Sequence, residues 1–379
     1  MKRDTCALNS PPSRSALLVG NMLSSNRPGT FSFDEALASR LSAGGWKVLT
    51  TSDKTVRLRR LVDMLLTTWR GRHRYAVAKV SVFSGPAFFW AEAVSWLLRQ
   101  LGKPLVLTLH GGNLPAFGKR WPGRVRRLLN SASVVTTPSR YLQDALRSYR
   151  NDILLLPNAI DLNAYSFRLR SNPKPKLVWL RALHGIYNPC MAVRTVAHLL
   201  EMGNLGSPTS DLRPPTSDLH LSMFGPEKGD GSLQRLKAEI ERLKLGERVR
   251  LEGPVAKPDV PKALNSGDIF LNTTNYESYG VSVMEAAACG LCIVSTNVGE
   301  LPLLWQDGHD ALLVNPDDSA AMAAAVRRIL TEPGQAECLS RNARAKAEQC
   351  DWSVILPRWE QLLNKAAGNG SRDNRTLDN

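Results

Sequence analysis

The stretch that decides the fold runs from Tyr276 to Leu301 and reads YESYGVSVMEAAACGLCIVSTNVGEL. It predicts a helix that begins at Gly280-Val281, with one carboxylate on each side of that start, Glu277 and Glu285. A helix N-terminus attracts phosphate through its free amides and its partial positive charge. Carboxylates accept hydrogen bonds from hydroxyl groups. The stretch therefore predicts a ligand that is part phosphate and part polyol, such as a nucleotide-sugar.

Strand-like and helix-like segments alternate on both sides of this stretch. The first strand is predicted at residues 16–19, and the pattern restarts with a strand at 176–180 after the segment Asn172-Pro173-Lys174-Pro175. Alternation of this kind predicts parallel sheets with crossover helices. We therefore predict an α/β chain with two Rossmann-like, doubly wound parallel-sheet domains, residues 1–170 and 171–350, that face an interdomain cleft. Ligands of such sheets bind beyond the carboxyl ends of the strands.

Composition agrees with two globular domains and indicates an anionic partner. The chain has 379 residues, 43% of them hydrophobic, and a formal net charge of +15. Basic residues cluster in the first half, where they predict docking on an anionic membrane face or recognition of a lipid-diphosphate acceptor. Nucleic acid is not expected as a partner, because no nucleic-acid module accompanies the charge. The clustered residues are Arg57, Arg59, Arg60, Arg70, Arg72, Arg74, Lys119, Arg120, Arg124, Arg126 and Arg127.

Several alternative sites are not favoured by the sequence. Cys289 and Cys292 form a Cys-x-x-Cys pair, but no second pair stands at metal-ligand spacing, so we interpret both as structural. No Asp-x-Asp occurs, which favours a site without a metal ion. The apolar run at residues 80–98 is broken by Ser84-Gly85-Pro86 and predicts a strand and a helix rather than a membrane span. No signal peptide is predicted, and a cytoplasmic location, with peripheral contact at the inner membrane face, is expected.

The same residues resemble glycosyltransferase family 4, whose members are retaining enzymes of the GT-B fold. Glu277 and Glu285 match its Glu-x7-Glu motif, and residues 285–290 resemble its Glu-Ala-x-Ala-x-Gly continuation. The resemblance extends from about residue 16 to residue 363. It implies that a terminal helix at residues 351–366 crosses back to the N-terminal domain, which binds the acceptor, and that a flexible tail, residues 367–379, follows.

The resemblance also implies roles in donor binding for the second domain. Glu285 would hold the ribose hydroxyls, and Glu277 would have a catalytic role, lying near the hydroxyls of the transferred sugar and polarising its reacting end. The backbone amides of Ser278, Tyr279, Gly280 and Val281 would face the donor diphosphate. These four residues directly follow Glu277 in the chain.

Arg181, which follows a predicted strand, is expected to neutralise charge on the leaving diphosphate. The family has a lysine a few residues later, and this chain has none there. His184, Tyr187 and Asn188 are candidates to donate hydrogen bonds instead, and a lysine from elsewhere in the chain is the alternative. Val255, in a loop after another strand, is a candidate for contact with the base.

In the first domain the resemblance implies two further residues. Gly29 would lie in a glycine-rich loop facing the donor and acceptor, and His110, at a predicted strand end, would contact the transferred sugar. Together these expectations describe a metal-independent retaining hexosyltransferase with no cofactor besides its nucleotide-sugar co-substrate. Its acceptor would be a saccharide or lipid-linked hydroxyl in cell-surface polysaccharide or glycolipid synthesis. The alternatives are a nucleotide-sugar epimerase or sugar-phosphate synthase on the same fold, and a non-catalytic basic binding protein.

Overall fold

The computed structural model describes residues 14–24, 32–204 and 218–373. Its internal contacts divide the chain into two compact units. The first unit comprises the chain up to Ala159 and again from Ser353, and the second unit is Ile160–Trp352. The division after Ala159 lies ahead of the domain boundary near residue 170 that the sequence predicts.

The first unit is built on a six-stranded sheet in the order β2-β1-β3-β4-β5-β6, with every neighbouring pair parallel. Buried side chains of the sheet and of its helices form one hydrophobic core. The elements are β1 Ser15–Val19, α1 Phe33–Ala43, β2 Lys47–Thr51, α2 Arg57–Arg70, β3 Val77–Val82, α3 Pro86–Gln100, β4 Leu105–Leu109, α4 Leu114–Arg120, α5 Pro122–Asn130, β5 Val134–Thr137, α6 Arg140–Leu146 and β6 Leu154–Leu155.

Local signals in the sequence account for several of these boundaries. Ser32 and Glu35 form a capping box at the start of α1, since the Ser32 hydroxyl accepts the Glu35 amide and the Glu35 carboxylate accepts the Ser32 amide. Pro86 occupies the first turn of α3, where its missing amide hydrogen is not needed. The apolar run at residues 80–98 accordingly divides into β3 and α3, as predicted. Across the described ranges, the helices lack the combination of length and apolar composition that crossing a bilayer requires.

The second unit repeats the plan, with strand order β12-β11-β10-β7-β8-β9 and parallel pairing throughout. Its two hydrophobic clusters each draw on the strands and on the helices that cover them. The elements are β7 Lys176–Leu180, α7 Pro189–Asn204, β8 His220–Phe224, α8 Ser232–Arg242, β9 Val249–Gly253, α9 Val260–Leu264, β10 Ile269–Asn272, α10 Val281–Ala288, β11 Cys292–Thr296, α11 Leu301–Leu304, β12 Leu312–Val314, α12 Ser319–Thr331 and α13 Gln335–Glu348. Short 3-10 turns lie at Leu162–Ala164, Gly185–Tyr187 and Lys257–Asp259.

The last helix, α14 (Trp352–Asp373), belongs from Ser353 onward to the first unit. Its Glu360 accepts a hydrogen bond of 3.0 Å from the Trp46 indole. Its Arg358 donates to the backbone carbonyl of Leu155 at 3.1 Å. These bonds attach the end of the chain to a unit formed mainly by its beginning.

Candidate active site

Glu277 lies in the loop between β10 and α10 and is nearly buried. Its Oε1 accepts the backbone amides of Ser278, at 3.0 Å, and Tyr279, at 3.3 Å. Its Oε2 forms an ion pair with Nη2 of Arg181, and the two side chains are 10% and 13% exposed. Glu277 therefore ties the loop ahead of α10 to the carboxyl end of β7.

Gly299 supports the same loop from behind. Its φ is +59°, and a Cβ built at this position would lie 1.9 Å from the carbonyl oxygen of Glu277. The amide of Glu300 donates to that carbonyl at 3.1 Å. Only glycine allows the two backbones to approach this closely, which explains the glycine in the Val298-Gly299-Glu300 segment.

The amides of Ser278 and Tyr279 thus have a protein acceptor in this structure, whereas the sequence predicts that they face a diphosphate. Helix α10 begins one residue after Gly280, which adopts a left-handed conformation with φ of 93°. The first amides of a helix have no acceptor within the helix. Val281, the first helical residue, is 46% exposed. The first turn of α10 is therefore the position where this segment can receive an anion.

Arg181 has a buried donor that the protein leaves unpaired. Its Nε is buried and makes no hydrogen bond within the described part of the chain. Its guanidinium lies over the ring of Tyr187, 5.0 Å from the centroid. The ion pair with Glu277 and this stacking fix the guanidinium from two sides, which suits a group that must be in place before negative charge develops.

The three residues proposed in place of the absent lysine are held in different ways. Tyr187 contacts Arg181 directly through its ring. His184 accepts the amide of Ile186 at Nδ1, at 3.1 Å, and its Nε2 lies 3.8 Å from Asp230. Asn188 donates to Asp317 at 3.1 Å.

Asp230 anchors the 3-10 turn that follows His184. Its carboxylate accepts the Gly185 amide at 2.8 Å and the hydroxyl of Ser232 at 2.8 Å. These two hydrogen bonds, in that order, lower the pKa of Asp230 to about 2. The turn is consequently held by an anion over the ordinary pH range.

Glu285, in the second turn of α10, is 4% exposed. Its Oε1 accepts the hydroxyl of Tyr165 at 2.9 Å and also forms an ion pair with Lys257. Burial, followed by the charge of Glu285, raises the pKa of Tyr165, so the phenol stays protonated and donates. Oε2 makes no hydrogen bond within the described residues, which leaves an acceptor for ligand hydroxyls.

Lys257 and Tyr165 were not predicted from the sequence. Lys257 starts the 3-10 turn after β9, only two residues beyond Val255, and its side chain is 46% exposed. Val255 itself is half-buried and packs against the core cluster that includes α10. A lysine in a loop after a strand end is the one signal that could have pointed to this pair.

In the first unit, His110 follows β4 and stacks on Phe83, with ring centroids 5.2 Å apart. Burial, reinforced by the charge of Lys79, lowers the pKa of His110 to about 4, so the imidazole is neutral at pH 7. Lys79 is wholly buried on β3, where it pairs with Asp34 and donates to Ser81 at 2.7 Å. This charged cluster was not predicted from the sequence, although Lys79 inside a mainly apolar strand was a visible signal.

Gly29 lies outside the described residues. Cys289 and Cys292 are buried, unpaired thiols, and burial raises their pKa values to about 11 and about 12. Within residues 14–24, 32–204 and 218–373, no group of three His, Cys, Asp or Glu side chains could hold a metal ion.

The fold and the two carboxylates Glu277 and Glu285 are typical of one class, the glycosyltransferases built from two α/β units that each contain a parallel sheet. A family model described as Glycosyltransferase Family 4 matches residues 33–164, and one described as Glycosyl transferases group 1 matches residues 207–332. Together they cover more than half of the chain. The chain belongs to this glycosyltransferase family, as predicted, and the enzyme class predicted from the sequence is the one that the family defines.

Curated relatives are about 26% identical to this chain over the matched residues. A D-inositol 3-phosphate glycosyltransferase from Rhodococcus jostii is 26% identical over 296 residues, which are 70% of this chain and 62% of the relative. The corresponding protein from Paenarthrobacter aurescens is 26% identical over 70% of this chain and 68% of its own length. The match thus spans less than two thirds of the Rhodococcus protein.

Solved structures support the fold at lower identity. Sucrose-phosphate synthase from Thermosynechococcus elongatus has a TM-score of 0.73 at 17% identity, over 93% of this chain and 98% of that one. Anabaena Alr3699/HepE, in its complex with UDP-glucose, has a TM-score of 0.68 at 17% identity, over 93% and 99%. The GT-B fold predicted from the sequence is therefore confirmed.

Proposed function

We propose that the protein is a retaining, metal-independent hexosyltransferase. It would move a sugar from a nucleotide-sugar to a saccharide or lipid-linked hydroxyl in the synthesis of cell-surface polysaccharide or glycolipid. The observation that carries the proposal is the arrangement around α10. A fixed guanidinium, an open helix N-terminus and a carboxylate with a free oxygen follow one another there, in the order that diphosphate and ribose require.

The donor diphosphate would lie at the first turn of α10. Helix amides and the guanidinium of Arg181 supply positive charge where negative charge develops as the bond to the sugar breaks. Because Glu277 and Tyr187 already fix the guanidinium, little reorganisation is needed at that step. The Glu277 carboxylate can in addition accept a hydroxyl of the transferred sugar.

The nucleoside would lie beside Glu285. Its Oε2 can accept ribose hydroxyls, while Tyr165 and Lys257 hold Oε1. We propose that Lys257 also supplies the cation that the segment after Arg181 lacks, since its half-exposed ammonium lies on the carboxylate nearest the predicted ribose. A neutral His110 would be able to donate to or accept from the transferred sugar.

A uridine diphosphate sugar is the first donor to test, because HepE is described in complexes with UDP and UDP-glucose. We expect calorimetry to show binding of one nucleoside diphosphate from a panel of UDP, GDP, ADP and dTDP. Glu285→Gln should weaken that binding by about 10- to 100-fold, the value of hydrogen bonds to a charged acceptor. Glu337→Gln, which removes an exposed carboxylate of an i,i+4 pair on α13, is the matched control and should bind normally.

Two outcomes would reject the proposal. Equal nucleotide binding by Glu285→Gln and the parent protein would remove Glu285 from the donor site. Conversion of the donor without any acceptor would instead support the epimerase alternative. The stereochemistry of the product, read by nuclear magnetic resonance of the new anomeric centre, tests retention separately.

A phosphorylated acceptor is a second candidate, because the curated relatives are named for transfer to an inositol phosphate. The excess of basic residues is compatible with such an anion. Assays that pair one donor with inositol phosphate, with an unphosphorylated saccharide and with a lipid-linked acceptor would decide between these acceptors.

A further inference from the structure

Helix α2 turns a continuous apolar stripe toward solvent. Leu58, Val62, Leu66 and Trp69 are 71%, 47%, 41% and 50% exposed. Their spacing of four, four and three residues aligns them along one side of the helix. We call these four residues the α2 stripe.

The stripe is not the side by which α2 packs on its own unit. The buried residues of the helix are Arg60, Met64 and Thr68. At 3.6 residues per turn, their centre lies roughly 150° around the helix from the centre of the stripe. A surface helix normally presents its apolar side to the core and its polar side to water, and α2 presents apolar side chains where water is expected.

Arginines border the stripe at both ends of the helix. Arg57, Arg59 and Arg70 are exposed. Arg72, just beyond the helix, lies 4.9 Å from the ring centroid of Trp69. The single acidic residue within α2, Asp63, accepts a hydrogen bond of 3.1 Å from the Thr51 hydroxyl. The border of the stripe is therefore strongly cationic.

We infer that the α2 stripe inserts at the boundary between headgroups and acyl chains of an anionic phospholipid bilayer. Four apolar side chains with a tryptophan among them, flanked by arginines, are the composition of helices that lie in a membrane interface. A stripe of this length, about 17 Å, would lie parallel to the surface. Charge complementarity selects the lipid, because each arginine near an anionic leaflet is attracted to it.

A second copy of the chain fits the stripe less well. In a symmetric dimer the same surface meets itself. Whether the two α2 helices ran parallel or antiparallel, the arginines at the ends of one stripe would approach those of the other. An anionic leaflet supplies the opposite charge that a second copy lacks. The inference does not depend on sugar transfer, but it gives the membrane contact that the sequence predicts a defined surface.

Co-sedimentation of the full chain with vesicles tests the inference without donor or acceptor. We expect binding to vesicles with 30% phosphatidylglycerol, weaker binding to pure phosphatidylcholine, and release by salt. Leu58→Ser with Leu66→Ser should lower the partition coefficient on the order of 100-fold, since two leucines no longer enter the apolar region. Arg59→Gln with Arg70→Gln should lower it about 30-fold.

Matched controls separate the stripe from general apolarity and charge. Leu303→Ser with Val354→Ser removes two similarly exposed apolar side chains elsewhere, and Arg328→Gln with Arg341→Gln removes two exposed arginines of α12 and α13. Both should bind vesicles like the parent protein. Circular dichroism should show every variant folded, because all the altered side chains are exposed.

Three results would overturn the inference. One is vesicle binding that the stripe variants retain in full, another is binding without preference for the anionic lipid, and the third is no vesicle binding at all. A lipid-free dimer that light scattering detects, and that Leu58→Ser with Leu66→Ser dissociates, would assign the stripe to a second copy instead. Sugar transfer to a water-soluble acceptor should be unchanged in the stripe variants, so failure here leaves the proposed reaction standing.

Discussion

Two substitutions of Glu277 should separate its charge from its role as an acceptor for the loop. Glu277→Gln keeps an oxygen that can accept the amides of Ser278 and Tyr279 but removes the ion pair with Arg181. Glu277→Ala removes both sets of interactions. The two variants therefore should not be equally unstable.

The contacts of Glu277 set the expected magnitudes. Breaking a fully buried ion pair costs about 3–5 kcal/mol, and this pair is slightly exposed, so we expect about 2 kcal/mol for Glu277→Gln. Loss of two amide bonds in Glu277→Ala adds about 1 kcal/mol for each amide, because water can reach part of the loop. The total for Glu277→Ala is thus about 4 kcal/mol.

Differential scanning calorimetry of the ligand-free chain measures the difference. For a unit of this size, 1 kcal/mol lowers the melting temperature by about 2–4 °C, so we expect decreases of about 6 °C for Glu277→Gln and about 12 °C for Glu277→Ala. The double variant, Arg181→Met with Glu277→Gln, leaves no unpaired charge. Its decrease in melting temperature should therefore be smaller than the sum of the decreases in the Arg181→Met and Glu277→Gln variants. Equal melting temperatures of Glu277→Gln and Glu277→Ala would refute this account of the loop. So would a decrease in the double variant that equals the sum of its two single decreases.

Two further predictions concern the glycine behind that loop and the histidine of the first unit. Gly299→Ala should displace Glu277, because the new Cβ would meet its carbonyl oxygen. We expect calorimetry to show at least a tenfold loss of nucleotide affinity. The control Gly334→Ala, whose Cβ would meet nothing within 4 Å, should bind the nucleotide normally. The lowered pKa of His110, about 4 against about 6.5 when unfolded, makes the unfolded chain bind more protons between these values. The stability that the neutral imidazole contributes is therefore complete above about pH 6.5 and is lost as the pH falls toward 4. In urea titrations at several pH values, His110→Asn should flatten the dependence of the free energy of unfolding on pH. An unchanged dependence would contradict the neutral imidazole.

Much of the fold was predictable from the sequence because its signals are local. Helix α10 begins at Val281, directly after Gly280, as the spacing of glycine and carboxylates predicts. The parallel sheets follow from apolar runs that alternate with helical patterns. The run at residues 80–98 divides into β3 and α3 because Pro86 permits a helix to begin and prevents a strand from continuing.

The partners of the carboxylates were not predictable in the same way. Arg181 and Glu277 are 96 residues apart in the chain, and Tyr165 and Glu285 are 120 apart. Their contacts depend on which strands are neighbours in the sheet, and β7 lies beside β10 only because the chain crosses over between them. The same holds for Lys257, whose loop reaches α10 from the end of β9.

The sequence by itself thus determined the family, the two parallel α/β sheets and the segment that carries Glu277 and Glu285, because each of these depends on spacing along one stretch of chain. Only the tertiary structure decided that Glu277 accepts hydrogen bonds from the amides of its own loop, that Lys257 forms an ion pair with Glu285, and that the α2 stripe faces solvent. A helical pattern shows that two sides of α2 differ in composition. Which side meets the sheet is decided by packing against β-strands and helices far away in the chain, and this information is absent from the fourteen residues of the helix.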